Sequence, residues 1–364
     1  MKNSPTRRTR SPLAFVLLAP LLLGAMAPVA LCLWDRDTLA AEAKKAPGIV
    51  EVLTGRFERQ PARYHEMRLA SVTREIESGS KALGLFDDAG VACDRLERFD
   101  EAIEWMARKR VVLDETAARG KTDAHHEYTY LANLGTFHAH RWLKGGAQRE
   151  DLGDLVRGRD LIAAAIALSP DAHFGRERWQ LMALEFLIAP PAPIETESSW
   201  KIAATFLPLT DAPWLGQKQL AKSGYADAVE GLVGLITLGN AWASVDVFQA
   251  LEYALIDRGD GHLARIAGWR LDELLASGRT SLVPDGPTEW DRRRTDEFIY
   301  DARKADIDAF FPRARAQADR WHEARAAYMN ERFARGEHPD THPEFWSAYT
   351  DAHPAPELPK STRK

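Results

Sequence analysis

The feature that most constrains the fold is a run of apolar residues at three- and four-residue spacing over residues 84–113. This spacing places the apolar side chains on one face of an α-helix. The pattern breaks at Leu96, Glu97 and Arg98, which predicts two helices of about 12 residues joined as an antiparallel hairpin. The same periodicity continues along most of the chain, and it predicts an all-α protein.

A second hairpin is predicted from a repeat of this unit. Residues 127–140 repeat its first half, and residues 155–170 repeat its second half. Residues 141–153 separate the two halves and contain Gly145 and Gly146, so they form a longer loop than that of the first hairpin. A further apolar helix is predicted over residues 171–188.

The two hairpins carry a sparse pattern of small and large residues that resembles the tetratricopeptide repeat family. The matching residues are Phe86, Gly90 and Ala102 in the first unit and Leu134, Gly135, Ala165 and Pro170 in the second. The sequence departs from the family pattern at four places: Asp114 replaces a proline, the second loop is longer, Gly158 occupies a small position, and Gln180 stands where a third unit would have glycine. The resemblance covers two units within about residues 84–170. It implies a right-handed helical-hairpin array, or α-solenoid, with additional flanking helices.

The resemblance also implies a binding groove, because the first helix of each unit lines the concave face in this family. The corresponding residues are Asp87, Val91, Asp94 and Arg95 in the first unit and Ala132, Thr136, Ala139 and His140 in the second. Family members that bind a terminal carboxylate use Lys and Asn in the groove. Here Asp87, Val91, Ala132 and Thr136 occupy those positions, so this clamp is absent and a basic or neutral peptide suits the groove better.

The N-terminus is predicted to direct export. Residues 1–10 are polar and basic, and the stretch from Ser11 to Trp34 has no charged residue. Such a pattern is typical of a secretory signal, and roughly 22–24 apolar residues also suit a membrane-spanning helix. Three outcomes remain open: cleavage near residues 30–32, lipidation of Cys32, or retention as an anchor with the body outside. Each outcome places the body in the periplasm, in the medium or on the outer side of the cytoplasmic membrane.

Composition divides the remaining chain into four parts. Residues 35–188 form the repeat-containing helical domain, and residues 189–199 are a linker because they hold three prolines and lack periodicity. Residues 200–335 form a second helical block, which degenerate repeats could build. Residues 336–364 are rich in proline and are predicted to be a mostly irregular tail.

Helices in the second block are predicted at residues 225–238, 245–257 and 261–276, with Ser244 as an N-cap. A charged helical region is predicted over residues 289–335, interrupted near Pro312. Three aromatic residues of the tail are predicted to pack back on the body: Phe345, Trp346 and Tyr349.

Charge and reactive residues argue against several functions. The formal net charge is −5, and residues 1–34 hold four basic residues and no acid, so the remainder is more acidic still. A net acidic body disfavours nucleic acid as the partner. The two cysteines, Cys32 and Cys93, are too few for a disulfide scaffold or a cysteine zinc site. The membrane is expected to be contacted only through the N-terminal segment.

Neither a metal, a cofactor nor a catalytic centre is predicted. The histidines at positions 125, 126, 138, 140 and 173 lack metal-ligand spacing, because His138 and His140 point in different directions on one helix. Asp87 and Asp94 share a helix face, where solvated acids are commoner than an acid–base pair. The sequence therefore favours a scaffold that binds a protein or peptide without chemistry. The alternative is an extracytoplasmic enzyme or small-ligand-binding protein with its site in the second block.

Overall fold

A computed structural model describes residues 33–38, 47–170, 176–195, 201–239, 241–299 and 301–359. The described part is mostly helical, which confirms the predicted all-α class. Its helices are α1 (Ile49–Thr54), α2 (Ala62–Glu77), α3 (Leu83–Arg95), α4 (Phe99–Ala117), α5 (Ala124–Lys144), α6 (Gly153–Leu168), α7 (Glu177–Ile188), α8 (Gln219–Lys222), α9 (Ala228–Thr237), α10 (Val245–Arg258), α11 (Gly261–Ala276), α12 (Arg293–Asp296) and α13 (Asp301–Ala334).

The predicted hairpins are present as α3–α4 and α5–α6. Helices α2 to α7 pack against one another in chain order. The first turn lies at the predicted break, where Glu97 adopts a left-handed backbone with φ of 59°. Asp123 caps α5 by accepting a hydrogen bond from the His126 amide, so this helix begins three residues before the predicted position.

Small residues allow close packing of these hairpins. A Cβ atom on Gly135 would lie 2.9 Å from the carbonyl oxygen of Gly158, and one on Gly158 would lie 2.7 Å from that of Gly135. The backbones of α5 and α6 therefore touch at this crossing. In the first hairpin, a Cβ atom on Gly90 would meet Met106 of α4 at 2.9 Å and Phe137 of α5 at 3.0 Å. Gly90 thus lets one hairpin pack on the next.

Replacing Gly135 by Ala should lower the free energy of unfolding by about 1–2 kcal/mol, because a rigid carbonyl leaves no room for the methyl group. Gly84 of α3 is a matched control, since a Cβ atom there meets nothing within 4 Å. Gly84→Ala should be neutral or stabilising by up to about 1 kcal/mol through helix propensity. Urea unfolding of both variants tests the close crossing, and equal effects would contradict it.

One hydrophobic core joins the repeat-containing helices to the second block. Trp179 of α7 is fully buried, and a Cβ atom on Gly231 of α9 would lie 2.2 Å from its ring. The same core includes Tyr128 of α5 and Phe248 of α10. At the end of the proline-rich linker, Ile194–Glu195 (β1) pairs antiparallel with Lys201–Ile202 (β2), so that part of the linker is more ordered than its composition suggests.

Most predicted elements of the second block are observed, with one clear error. Ser244 caps α10 through the Val247 amide, and α11 has the predicted bounds. Helix α13, however, continues through Pro312. Phe310 and Phe311 before the proline and Ala314 after it are buried, and this packing on both sides holds the helix together despite the missing N–H.

The tail packs on the body as predicted. Phe345 is fully buried, Trp346 stacks on Tyr328 of α13, and the Tyr328 hydroxyl donates to the Phe345 carbonyl at 2.5 Å. Residues 1–32 of the predicted export segment, including Cys32, lie outside the described residues. Among the described helices, none has the length and apolar character required to cross a membrane.

Candidate functional site

The structure turns the eight predicted groove residues inward. Val91, Ala132 and Ala139 are part of the buried core. The polar members are also buried, namely Asp87, Asp94, Thr136 and His140, while Arg95 is half-buried. The inner face formed by α3, α5 and α7 is therefore covered by other parts of the chain.

A buried polar network connects the two hairpins. The Lys109 ammonium of α4 is fully buried and donates to both carboxylate oxygens of Asp87, at 2.8 and 2.7 Å, and to the Thr129 hydroxyl. Burial lowers the pKa of Lys109, although the neighbouring Asp87 opposes this shift. Asp87 in turn accepts a hydrogen bond of 2.9 Å from the Asn133 side-chain amide. The ion pair thus fixes the orientation of the Asn133 amide.

One end of the inner face contacts α7 and the second block. A hydrogen bond of 2.7 Å between Asp94 and His140 Nδ1 joins α3 to α5. Gln180 of α7 donates to Thr136 at 3.0 Å. Arg95 reaches beyond the hairpins and donates to the carbonyl of Leu238, which follows α9. These groups therefore have structural partners at this end of the face.

The other end is covered by residues 33–38 of the chain itself, here named the N-terminal strap, in which residues 36–38 are helical. Asn133 contacts the strap with both ends of its amide. Its oxygen accepts from the Trp34 backbone N–H at 2.7 Å, and its nitrogen donates to the Trp34 carbonyl at 2.9 Å. A side chain that satisfies both main-chain groups of one residue holds the backbone in a fixed register.

The Trp34 side chain fills a pocket between α5 and α7. Its ring meets Tyr128 edge-to-face, with centroids 5.2 Å apart and an interplanar angle of 86°. The indole N–H donates to the Tyr128 hydroxyl at 3.1 Å and to Glu177 at 3.4 Å. Tyr128 itself donates to Glu177. Trp34 is 6% exposed. Its apolar ring is therefore packed in the interior, and its N–H has hydrogen-bond partners there.

Two residues further along, Arg36 pairs with Asp88 of α3. The guanidinium donates to one Asp88 oxygen at 2.8 Å through Nε, and the Arg36 backbone N–H donates to the other at 3.1 Å. Asp88 is buried, whereas the Arg36 side chain is 39% exposed. The Asp88 carboxylate therefore binds a basic side chain at a fixed distance from Trp34.

A buried arginine ties the strap to the tail. Arg68 of α2 is 1% exposed and contacts Asp35 at 3.2 Å, Asp37 at 2.8 Å and Asp340 at 2.7 Å. Burial and the adjacent Asp37 raise the pKa of Asp35 to about 6. For Asp37, burial is outweighed by the Arg68 guanidinium, which lowers its pKa.

Sequence reasoning missed the residues that make these contacts: Trp34, Arg68, Asp88, Lys109 and Asn133. One signal was available for Asn133, because it is a polar residue within the apolar part of α5. Trp34 was assigned to the export segment, since it ends the uncharged stretch. The structure instead places it in the folded body.

Of the histidines singled out in the sequence, His173 lies outside the described residues, whereas His138 and His140 each pair with a carboxylate. His138 Nδ1 lies 2.8 Å from Asp154, and Arg157 donates to His138 Nε2 at 3.0 Å. No group of three or more potential metal ligands comes together within the described ranges.

The second block contains a polar stripe on α10 that faces the segment after α11. Glu252 is fully buried and accepts from the Trp290 indole at 2.7 Å, and Gln249 donates to the Tyr253 hydroxyl at 3.2 Å. Three buried atoms here lack a partner: Gln249 Oε1, Glu252 Oε2 and Arg294 Nε. A separate cavity of about 240 Å³ lies beside α8 to α10, but its Asp257 carboxylate is engaged by the Gln219 and Leu220 amides.

Glu252 provides a pH-dependent prediction. Burial raises its pKa from 4.5 to about 7, although Arg294 opposes the shift. The folded state therefore binds a proton that the unfolded state lacks between these pH values, and the wild type gains stability as pH falls through 7. We expect Glu252→Gln to be more stable than wild type by about 3 kcal/mol at pH 8, and the gap to fall to about 1 kcal/mol or less at pH 5. Urea unfolding at both pH values measures it, and a pH-independent gap would contradict the prediction.

No protein-family model, curated protein or solved structure matches the chain.

Proposed function

We propose that this protein is an exported or membrane-anchored scaffold, similar to tetratricopeptide repeat proteins, that binds a protein or peptide partner along the inner face of its hairpins. The observation that carries the proposal is the contact of Asn133 with the N-terminal strap, where one side-chain amide hydrogen-bonds to both main-chain groups of Trp34. A face that hydrogen-bonds to the main chain of a segment in this way is suited to peptide recognition.

Binding without chemistry fits the state of the polar groups on this face. Lys109 is paired with Asp87, His140 with Asp94, and Glu177 with Tyr128. Groups that satisfy one another form a rigid receptor, and rigidity lowers the entropic cost of binding. Catalysis would instead need a base or nucleophile directed at an open site.

Partner capture tests the proposal. A full-length Arg36→Glu variant is used to recover partners from native extract. The substitution places a like charge beside Asp88 and so weakens the binding of the strap to the inner face. Adding Asn133→Ala should reduce recovery of the same partner at least tenfold. Adding Lys121→Ala, at an exposed turn residue, should leave it unchanged. Equal recovery by all three chains would contradict the proposal.

A second candidate function is small-ligand binding in the second block, which the three unpartnered buried atoms beside Glu252 favour. A ligand there must accept from Arg294 and donate to Glu252. Thermal-shift screening of small polar metabolites against wild type and Glu252→Gln tests it. A ligand that stabilises only the wild type would favour this candidate, and none doing so would remove it.

A further inference from the structure

The N-terminal strap has the properties of a bound ligand. The described strap spans only residues 33–38. Across this short length its contacts come from α2, α3, α5 and α7. Three features of the strap are bound at the same time. Asn133 binds the backbone of Trp34, and Tyr128 and Glu177 bind its indole N–H. Asp88 binds the guanidinium of Arg36.

The receptor side of these contacts is organised without the strap. Asp87 holds the Asn133 amide, and Lys109 holds Asp87. Glu177 accepts from Tyr128. These bonds join parts of the body to each other, so they persist when the strap leaves.

One group loses its partner in that event. Asp88 pairs with Arg36 and, in the part of the chain that is described, with no other cation. A buried carboxylate without a counter-charge is unfavourable. The vacated face therefore favours a ligand that supplies a cation at this position.

We infer that the inner face recognises a short segment carrying a tryptophan and, two residues later, an arginine at the start of a helical turn, and that the strap is an intramolecular copy of this ligand. The flanking acids Asp35 and Asp37 add a second element, since Arg68 pairs with both. The recognised sequence is thus Trp-acid-Arg-acid. This inference rests on the proposed function and specifies the chemistry of the partner.

Self-occupancy predicts how the intact protein behaves. A tethered segment competes at an effective concentration in the millimolar range, so the wild-type chain should bind the same sequence in trans only weakly. Weakening the strap without altering the receptor should expose the site. Arg36→Glu does this, because Arg36 is at the exposed edge and its replacement leaves no cavity.

The test uses a labelled peptide with the sequence of residues 33–38 and fluorescence anisotropy with full-length chains. The Arg36→Glu chain should bind it at least tenfold more tightly than wild type does. Adding Asn133→Ala or Asp88→Asn should remove that gain, as should peptides in which Trp is replaced by Ala or Arg by Glu. Circular dichroism verifies that each chain is folded.

Two results would overturn the inference. In the first, neither Arg36→Glu nor Trp34→Ala chains bind the peptide although both are folded. In the second, binding persists without Asn133 and Asp88. Failure of the proposed function gives a different result. If the peptide binds but native extract yields no partner, the inferred recognition of Trp and Arg holds and the proposed function fails. Conversely, a captured partner that binds through a segment without Trp and Arg sustains the proposed function and overturns this inference.

Discussion

Arg68→Met should lower the free energy of unfolding by about 3–5 kcal/mol, because it removes one member of a buried ionic cluster. Arg68 is 1% exposed and serves three carboxylates, from Asp35, Asp37 and Asp340. Methionine fills similar space but removes the cation that Asp35 and Asp37 share, while Asp340 keeps Arg36 at 3.4 Å. The loss should therefore affect the strap and the tail together, since Arg68 connects both to α2.

The variant should also respond differently to pH. In wild type, Arg68 lowers the pKa of Asp37, so that contribution to stability is lost as pH falls through the folded pKa. Arg68 also opposes the burial that raises the pKa of Asp35 to about 6, so without Arg68 this acid should protonate at a higher pH. The difference in unfolding free energy from wild type should therefore narrow between pH 7 and pH 5. Arg63→Met is the matched control, because its side chain is on the same helix and 59% exposed. If Arg68→Met loses no more unfolding free energy in urea than the control does, Arg68 does not stabilise the buried ionic cluster.

Trp34→Ala should cost about 3 kcal/mol of unfolding free energy, because it empties a pocket in the main core and removes the partner of the Tyr128–Glu177 pair. The ring is buried against Tyr128, and its N–H is satisfied by Tyr128 and Glu177. Water entering the pocket cannot replace the edge-to-face contact. Thermal and urea unfolding measure the change.

Trp214→Ala provides the comparison, since Trp214 is 41% exposed. It should cost no more than about 1 kcal/mol. If the two tryptophan variants lose equal stability, the docking of Trp34 in the body is wrong.

The helical framework was predictable because apolar periodicity is local. The break at residues 96–98, the cap at Ser244 and the bounds of α11 all follow from short stretches of sequence. Pro312 shows where local rules fail, since α13 is held by buried neighbours on both sides of the proline. Its continuity depends on tertiary packing that no local pattern reveals.

The site was predicted less well, for a physical reason. The family resemblance pointed to the inner face, but it could not show that the chain covers this face with its own residues. The contacts of Trp34 with Asn133 join positions 99 residues apart, and no local sequence pattern shows that these two residues meet. Asp87 was assigned to an open groove, whereas its burial beside Lys109 makes it a positioning group for Asn133.

The central claim is that Asn133 and Asp88 hold the strap on the inner face, and amide hydrogen exchange of the full-length chain tests it most directly. The Trp34 and Arg36 amides donate to Asn133 and Asp88, so both should exchange slowly. Asn133→Ala should accelerate exchange of the Trp34 amide while the amides of α11 remain as protected as in wild type. Exchange of Trp34 and Arg36 at the rate of an unstructured peptide in the wild-type chain would contradict the account.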